Sequence, residues 1–454
     1  MCRVAGRVAL ALLTVVPALP ASGQSMEESL SKAYVGNPTL QSGRARLRAT
    51  DEGVPQALSG WRPTVSMSYE VGKGEFYSNS ATTTSRTSQR TSRSGGVTVT
   101  QNLYRGNRTT ASVSRAENLV FAERARLTAT EQDVMLQAAT AYMDVVRDQA
   151  VLDLNVNNER VLQRQLEATR DRFQVGEVTR TDVAQAESRL SRATSDRIGS
   201  AGNLIKSRAA YRNVVGEMPG TLRAAAPLGD LPANEEEAIT FARDQNPGVV
   251  AARFDERAAQ NQVDVVFGEL LPSVDLEGTL ERNDGSSFRG SRSEEASVNA
   301  VLRVPLYQGG SVSARVREAK ETLSQRRKDL ERTVRTSIET ATRAWEALQT
   351  ARSQIRAFDD EVRAAEIALE GIRQEAQVGS RTVLDVLNAE QELVDARVNL
   401  VRAQHDEVVA TFSLRSAVGT LTADRLALNV DRYDVDGHYR AVRGKWIGTG
   451  VDGQ

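Results

Sequence analysis

The chain is written twice, and this duplication limits its possible folds more than any other feature. Residues 174–187 read Q-V-G-E-V-T-R-T-D-V-A-Q-A-E, and residues 377–390 read Q-V-G-S-R-T-V-L-D-V-L-N-A-E. Eight of the fourteen positions are identical, 203 residues apart. Val215-Gly216 and Val418-Gly419 keep that offset, as do Leu103-Tyr104-x-Gly106 and Leu306-Tyr307-x-Gly309. Asn37-Pro38 and Asn246-Pro247 are 209 apart, as are Pro63-Thr64-Val65 and Pro272-Ser273-Val274. The first copy therefore carries six extra residues, all between Pro63 and Tyr104. Tandem repeats of this kind build one structural unit twice.

The unit has a readable order. A short helix stops at Asn-Pro, since the residue before proline disfavours helix. A second helix follows over 39–58 or 248–270. Two strands joined by a polar segment come next, at about 63–75 and 96–104, then 272–282 and 296–305. Val65, Met67, Tyr69 and Val71 alternate with polar residues, as do Val274, Leu276 and Leu280, and Val298, Ala300, Leu302 and Val304. That is a sheet with one apolar and one wet face. The joining segments, 78–96 and 283–295, lack an apolar stripe and read as mobile solvent-exposed loops.

Helical hairpins complete each copy, at 107–216 with a tip at 174–181 and at 311–418 with a tip at 377–384. Val334, Ala341, Leu348, Ile355, Val362, Leu369 and Ala376 are seven apart, and Ala138, Val145, Leu152, Leu166 and Phe173 share their register. Heptads of this length imply coiled-coil packing along roughly 100 Å of helix. The two copies divide as 24–234 and 235–427, with a tail at 428–454 whose structure the sequence leaves open.

Residues 1–23 have the form of a secretory signal peptide, with Arg3 and Arg7 before an apolar run and Ala21-Ser22-Gly23 at the cut. Cys2 is the only cysteine, so thiol chemistry and disulfides are excluded from the mature chain. The net charge of −1 gives no sign of nucleic-acid binding. His405 and His438 are the only histidines and lack metal-ligand spacing, and no phosphate loop is present. No catalytic group, metal site or cofactor site is indicated. Past the leader no run is long and apolar enough for a membrane helix, so a membrane crossing would use strands. Four strands cannot close a barrel; either the sheet is soluble and capped, or several chains pool their strands. A periplasmic coiled-coil adaptor or scaffold is the alternative to a pooled barrel.

Gly176 and Gly379 stand where each outgoing helix must end in left-handed geometry. Thr179-x-x-Asp182 and Thr382-x-x-Asp385 have capping-box spacing at the start of each return helix. Tyr104, Tyr307 and Trp61 flank the strands, as interfacial aromatics or as ordinary core.

The helix–strand–strand–helix plan written twice, the L-Y-x-G step and the V-G-x-R-T-x-x-D-V-L-x-A tip together resemble the TolC-like outer-membrane efflux proteins. That resemblance spans about residues 25–420. It implies a homotrimer whose twelve-stranded barrel lies in the outer membrane and continues into a coiled-coil α-helical periplasmic tunnel. It also implies a periplasmic adaptor (membrane fusion) protein and an inner-membrane ABC or RND-type transporter as partners. By motif, Arg381 and Asp182 correspond to a link that closes the tunnel mouth, with Asp385 the matching aspartate of the second tip. Ala376 stands where the family often has tyrosine, and Asn388 where it often has an acidic residue. Those departures imply a looser latch and weaker cation selectivity.

Overall fold

The computed structural model describes residues 23–80 and 83–451. The leader assigned to 1–23 lies, apart from Gly23, outside them. The chain begins with α1 (Met26–Gly36), capped by the Ser25 hydroxyl accepting from the Glu28 N–H. It turns at Asn37 into α2 (Pro38–Asp51). Asn37 accepts from the Thr39 N–H, while its amide donates to Val214 O at 2.9 Å. The second copy repeats this at Asn246, which accepts from the Gly248 N–H and donates to Ala417 O at 3.0 Å. Each Asn-Pro step thus closes one helix, opens the next and pins both to the end of the return helix.

A helix expected over 39–58 is divided: α2 ends at Asp51 and α3 (Gly53–Leu58) follows Glu52. Pro55 cannot donate to the carbonyl four residues back, so the ladder is interrupted there. Its counterpart α7 (Pro247–Phe267), preceded by α6 (Glu235–Gln245), is unbroken. Both run through a single 3-10 turn, 59–61 or 268–270, into the strands.

The strands β1 (Thr64–Ser80), β2 (Thr83–Arg105), β3 (Ser273–Asp284) and β4 (Arg292–Arg303) form one antiparallel sheet in that order. Val65 pairs with Val99, Met67 with Val97, Val97 with Leu280, and Val274 with Leu302. This register gathers the apolar residues on one face, where Val65, Met67, Tyr69, Leu280, Val298 and Leu302 are all well exposed. Thr98, Thr100, Asp275, Glu277, Asn299 and Arg303 line the other face. Arg303 there donates to Asp275 (2.6 Å) and Glu277 (3.0 Å).

Two expectations about the strands are corrected. In the Ser/Thr-rich run 78–96, expected to be a mobile loop, 78–80 and 83–96 are strand: β1 and β2 stay paired to Ser80 opposite Thr83. Pairing of β2 with β3 stops at Arg93 opposite Asp284, so the first hairpin projects beyond the second. The six extra residues lengthen it. With polar residues on both sides no period-two signal exists, yet β-branched threonines favour strand and the ladder needs no core. The segment 283–295 is in part strand: 283–284 and 292–295 belong to β3 and β4, and the turn is confined to 285–291.

Two helices of 67 residues follow the hairpins, α4 (Arg108–Gln174) and α8 (Ser311–Gln377). They return as α5 (Arg180–Val215) and α9 (Val383–Ala417). The heptad rows are the contact rows: Ala138, Val145, Leu166, Ala341, Leu348 and Leu369 are buried. Glu159, the one polar exception, is paired with Arg197 of α5 at 2.6 Å. The largest core lies midway along α4, where α1, α2, α5 and α9 meet the tail around Tyr142 and Tyr211. His405 of α9 sits there, bonded to Asp144 (3.0 Å) and Asp406 (2.8 Å). Burial opposes its charge, but these carboxylates outweigh burial and raise its pKa.

The tail, left open by the sequence, is folded. It carries α10 (Gly437–Arg443) and packs on α2, α3 and α4, with Leu428 and Val442 buried. His438 meets the buried carboxylate of Asp51 at 3.1 Å, and Arg124 meets Asp436 at 2.7 Å.

The strand-to-helix junction after β2 depends on two glycines. Gly106 has φ +59°, and a Cβ there would lie 2.4 Å from Gly268 O. A Cβ on Gly268 would meet Gly106 O equally closely. Gly106→Ala is therefore expected to destabilise the protein by about 2–4 kcal/mol, seen as a lowered melting temperature in detergent. An unchanged melting temperature would contradict this account of the junction.

Candidate functional site at the hairpin tips

Both tips are built by the same backbone hydrogen bonds. In the first, Gly176 N–H donates to Phe173 O (3.0 Å) and Glu177 N–H to Arg172 O (2.9 Å). In the second, Gly379 donates to Ala376 O (3.2 Å) and Ser380 to Glu375 O (3.0 Å). Each glycine has φ +81°, the left-handed cap that ends a helix.

The return helices start on capping boxes. Asp182 accepts from the Thr179 N–H and hydroxyl, both at 2.8 Å, and its own N–H donates back to the hydroxyl. Asp385 does the same with Thr382. The Thr382 N–H and hydroxyl hold the Asp385 carboxyl below its ordinary pKa.

Charges distinguish the copies. In the first tip Arg172, on the outgoing helix, donates to Glu177 in the turn at 3.0 Å. In the second, the outgoing helix carries Glu375, which accepts from Arg381 in the turn at 2.7 Å. The polarity of the tip ion pair is thus reversed between copies. Within this chain Arg381 is engaged by Glu375 of its own tip, and Asp182 by Thr179. Glu375 bonding keeps the Arg381 guanidinium firmly cationic.

The hairpins lie side by side. Val383 and Leu387 of α9 pack with Leu162, Leu166, Ala186 and Ala193 of the first hairpin, and Val178 joins them. Asn388 is half-buried and accepts from Arg189 of α5 at 2.6 Å. Val178 is the first-copy equivalent of Arg381, so one copy presents an apolar residue to the neighbouring hairpin where the other presents a cation.

One element went unread in the sequence. Glu187 and Glu390, both identical positions of the repeat, accept from Arg170 (2.6 Å) and Arg373 (3.0 Å) of the outgoing helices. These two pairs, also 203 residues apart, tie each return helix to its partner below the turn. Two arginines at that offset, facing two identical glutamates, were the available signal. At the other end of the molecule, Trp61, Tyr104 and Tyr307 are all exposed, at 41%, 38% and 86%.

An apolar-faced four-stranded sheet continuous with two 67-residue coiled-coil helices is the fold of an outer-membrane channel. The structure matches the Campylobacter jejuni CmeC outer membrane channel with a TM-score of 0.79 at 15% identity, covering 92% of this chain and 89% of that one. The outer membrane efflux protein family model matches residues 29–217 and 238–420. Those stretches are offset by 209 at their starts and 203 at their ends, the same offsets as the repeats. The chain belongs to the outer membrane efflux protein family. It is 36% identical to the outer membrane efflux protein BepC of Brucella suis biovar 1, over 96% of this chain and 94% of that one. It is 28% identical to the outer membrane protein TolC of Vibrio cholerae, over 88% and 91%. It is an outer-membrane efflux channel, of a channel family rather than an enzyme family, and the adaptor reading is set aside.

Loss of a capping box is expected to loosen its tip. Asp385→Ala or Thr382→Val should weaken the start of α9, read as faster amide exchange over 382–386. Because the Asp385 pKa is lowered in the fold, the cap is at full strength above the ordinary aspartate value of about 3.9. It weakens as pH falls through the lower folded value. Exchange that is equally fast in wild type and variant at neutral pH would contradict the cap.

Proposed function

We propose that this channel works as a homotrimer, a passive exit duct of a tripartite efflux or type I secretion machine. Three four-stranded sheets pool into a twelve-stranded barrel, and six hairpins continue its bore into the periplasm. The observation that supports this most is the open sheet. Its edges, β1 and β4, are unpaired among the described residues, while one of its faces is apolar along all four strands. Closure in lipid requires partner strands. The wet face, with Asp275, Glu277 and Arg303, suits a water-filled lumen. The duct has no energy source of its own. An inner-membrane ABC or RND-type transporter supplies the work, and a periplasmic adaptor docks it to the helices.

In this reading the tips form the periplasmic aperture. Arg381 of one subunit exchanges Glu375 for Asp182 of a neighbouring subunit in the resting ring, and threefold repetition makes a weak exposed pair matter. The reversed tip polarity favours such an exchange, since unlike tips meet around the ring. Asn388, held by Arg189, contributes no charge to the opening. Tyr104, Tyr307 and Trp61 mark the membrane interface on the helical side of the barrel.

Arg381→Ala and Asp182→Ala are each expected to raise single-channel conductance in planar bilayers. Unchanged conductance in both variants would count against the latch.

A further inference from the structure

We propose that the end of the C-terminal tail is a lipid anchor, in which Trp446 and Ile447 enter the headgroup–acyl boundary of the outer membrane beside the foot of β1. The inference rests on the outer-membrane placement of the sheet and not on the latch or on the transporter.

The tail is held along its length before it reaches these residues. Leu428 and Val442 are buried, at 6% and 2% exposure. His438 is bonded to Asp51, Arg124 to Asp436, and Arg443 to Glu117. At the strand end, Arg62 donates to Lys445 O at 2.7 Å, and its guanidinium lies 4.9 Å from the centre of the Trp446 ring. Arg62 directly follows the 3-10 turn that ends at Trp61 and stands two residues before β1. The tail therefore climbs from the mid-helix core and reaches the level where the strands begin.

What it carries there is apolar and open. Trp446 is 66% exposed and Ile447 89%, next to each other, whereas the large apolar residues earlier in the tail are buried or half-buried. The exposed apolar face of β1 starts at the same level, with Val65 at 69% and Met67 at 78%. Trp61 is exposed beside Arg62. An indole prefers the boundary where its ring is in acyl chains and its N–H in water, and isoleucine prefers the hydrocarbon beyond it. Arg62 beneath the ring supplies a cation at headgroup depth. Continuity with the membrane-facing side of β1 identifies the occupant as phospholipid.

The chain has three tryptophans, Trp61, Trp345 and Trp446, which makes the test direct. The full-length Trp61→Phe/Trp345→Phe variant is reconstituted in phosphatidylcholine vesicles with bromines on the acyl chains. Trp446 emission is expected to fall at least about twofold, more with bromines near the carbonyl than near the methyl end, and iodide in water should quench it little. If that double variant does not assemble, the difference between wild type and Trp446→Phe reads the same component. Emission quenched by iodide and not by bromolipid would place the tail in water and overturn the proposal. Emission quenched by neither would mean that a second copy covers the ring, and would also overturn it.

Discussion

An open sheet edge in hydrocarbon leaves a row of backbone N–H and C=O groups with neither water nor partner, at several kcal/mol each. That cost is the constraint on which the rest of this molecule depends. One chain supplies four strands with an apolar face and two bare edges. Among the described residues no element covers those edges, because the helices lie beyond the glycine junctions at the foot of the sheet. The proposed trimer follows from closure. The duplication then has a physical purpose: two hairpin units per chain give each subunit enough sheet and enough helix to make one sector of a continuous wall.

Duplication also sets how the tips can work. Identical backbone requirements preserve Gly176 and Gly379, the threonine–aspartate boxes and the Arg170–Glu187 and Arg373–Glu390 ties, because both copies must turn the same corner. What is free to diverge is the charge displayed on that corner. The swap of Arg172 and Glu177 for Glu375 and Arg381 keeps an ion pair in each tip while reversing its sense. In the proposed ring, hairpins of opposite tip polarity alternate, which suits an aperture closed by ion pairs between neighbours.

The sequence carried the fold where periodicity was long. The 67-residue helices, both tips, the Asn-Pro junctions and the apolar strand face all declare themselves by spacing, and the repeat offset located each element twice. Periodicity failed where chemistry was uniform: a strand polar on both faces, as over 78–96, looks like a loop. It failed again in the tail, whose order comes from single long-range contacts such as His438 with Asp51 and Arg62 with Trp446. No local pattern encodes those. Of the tip residues, the caps were legible because capping is local. The partner of Arg381 within the chain, Glu375, and that of Asn388, Arg189, depend on side-chain reach across the turn and between hairpins.

In the proposed trimer this sheet is one third of a closed barrel. Native mass spectrometry of the intact protein extracted from outer membranes counts the chains directly. Three chains per particle, stable without other protein, are expected, since three copies supply the twelve strands. A particle of one or two chains would contradict it, because four strands cannot close and eight would leave a barrel filled by its own side chains.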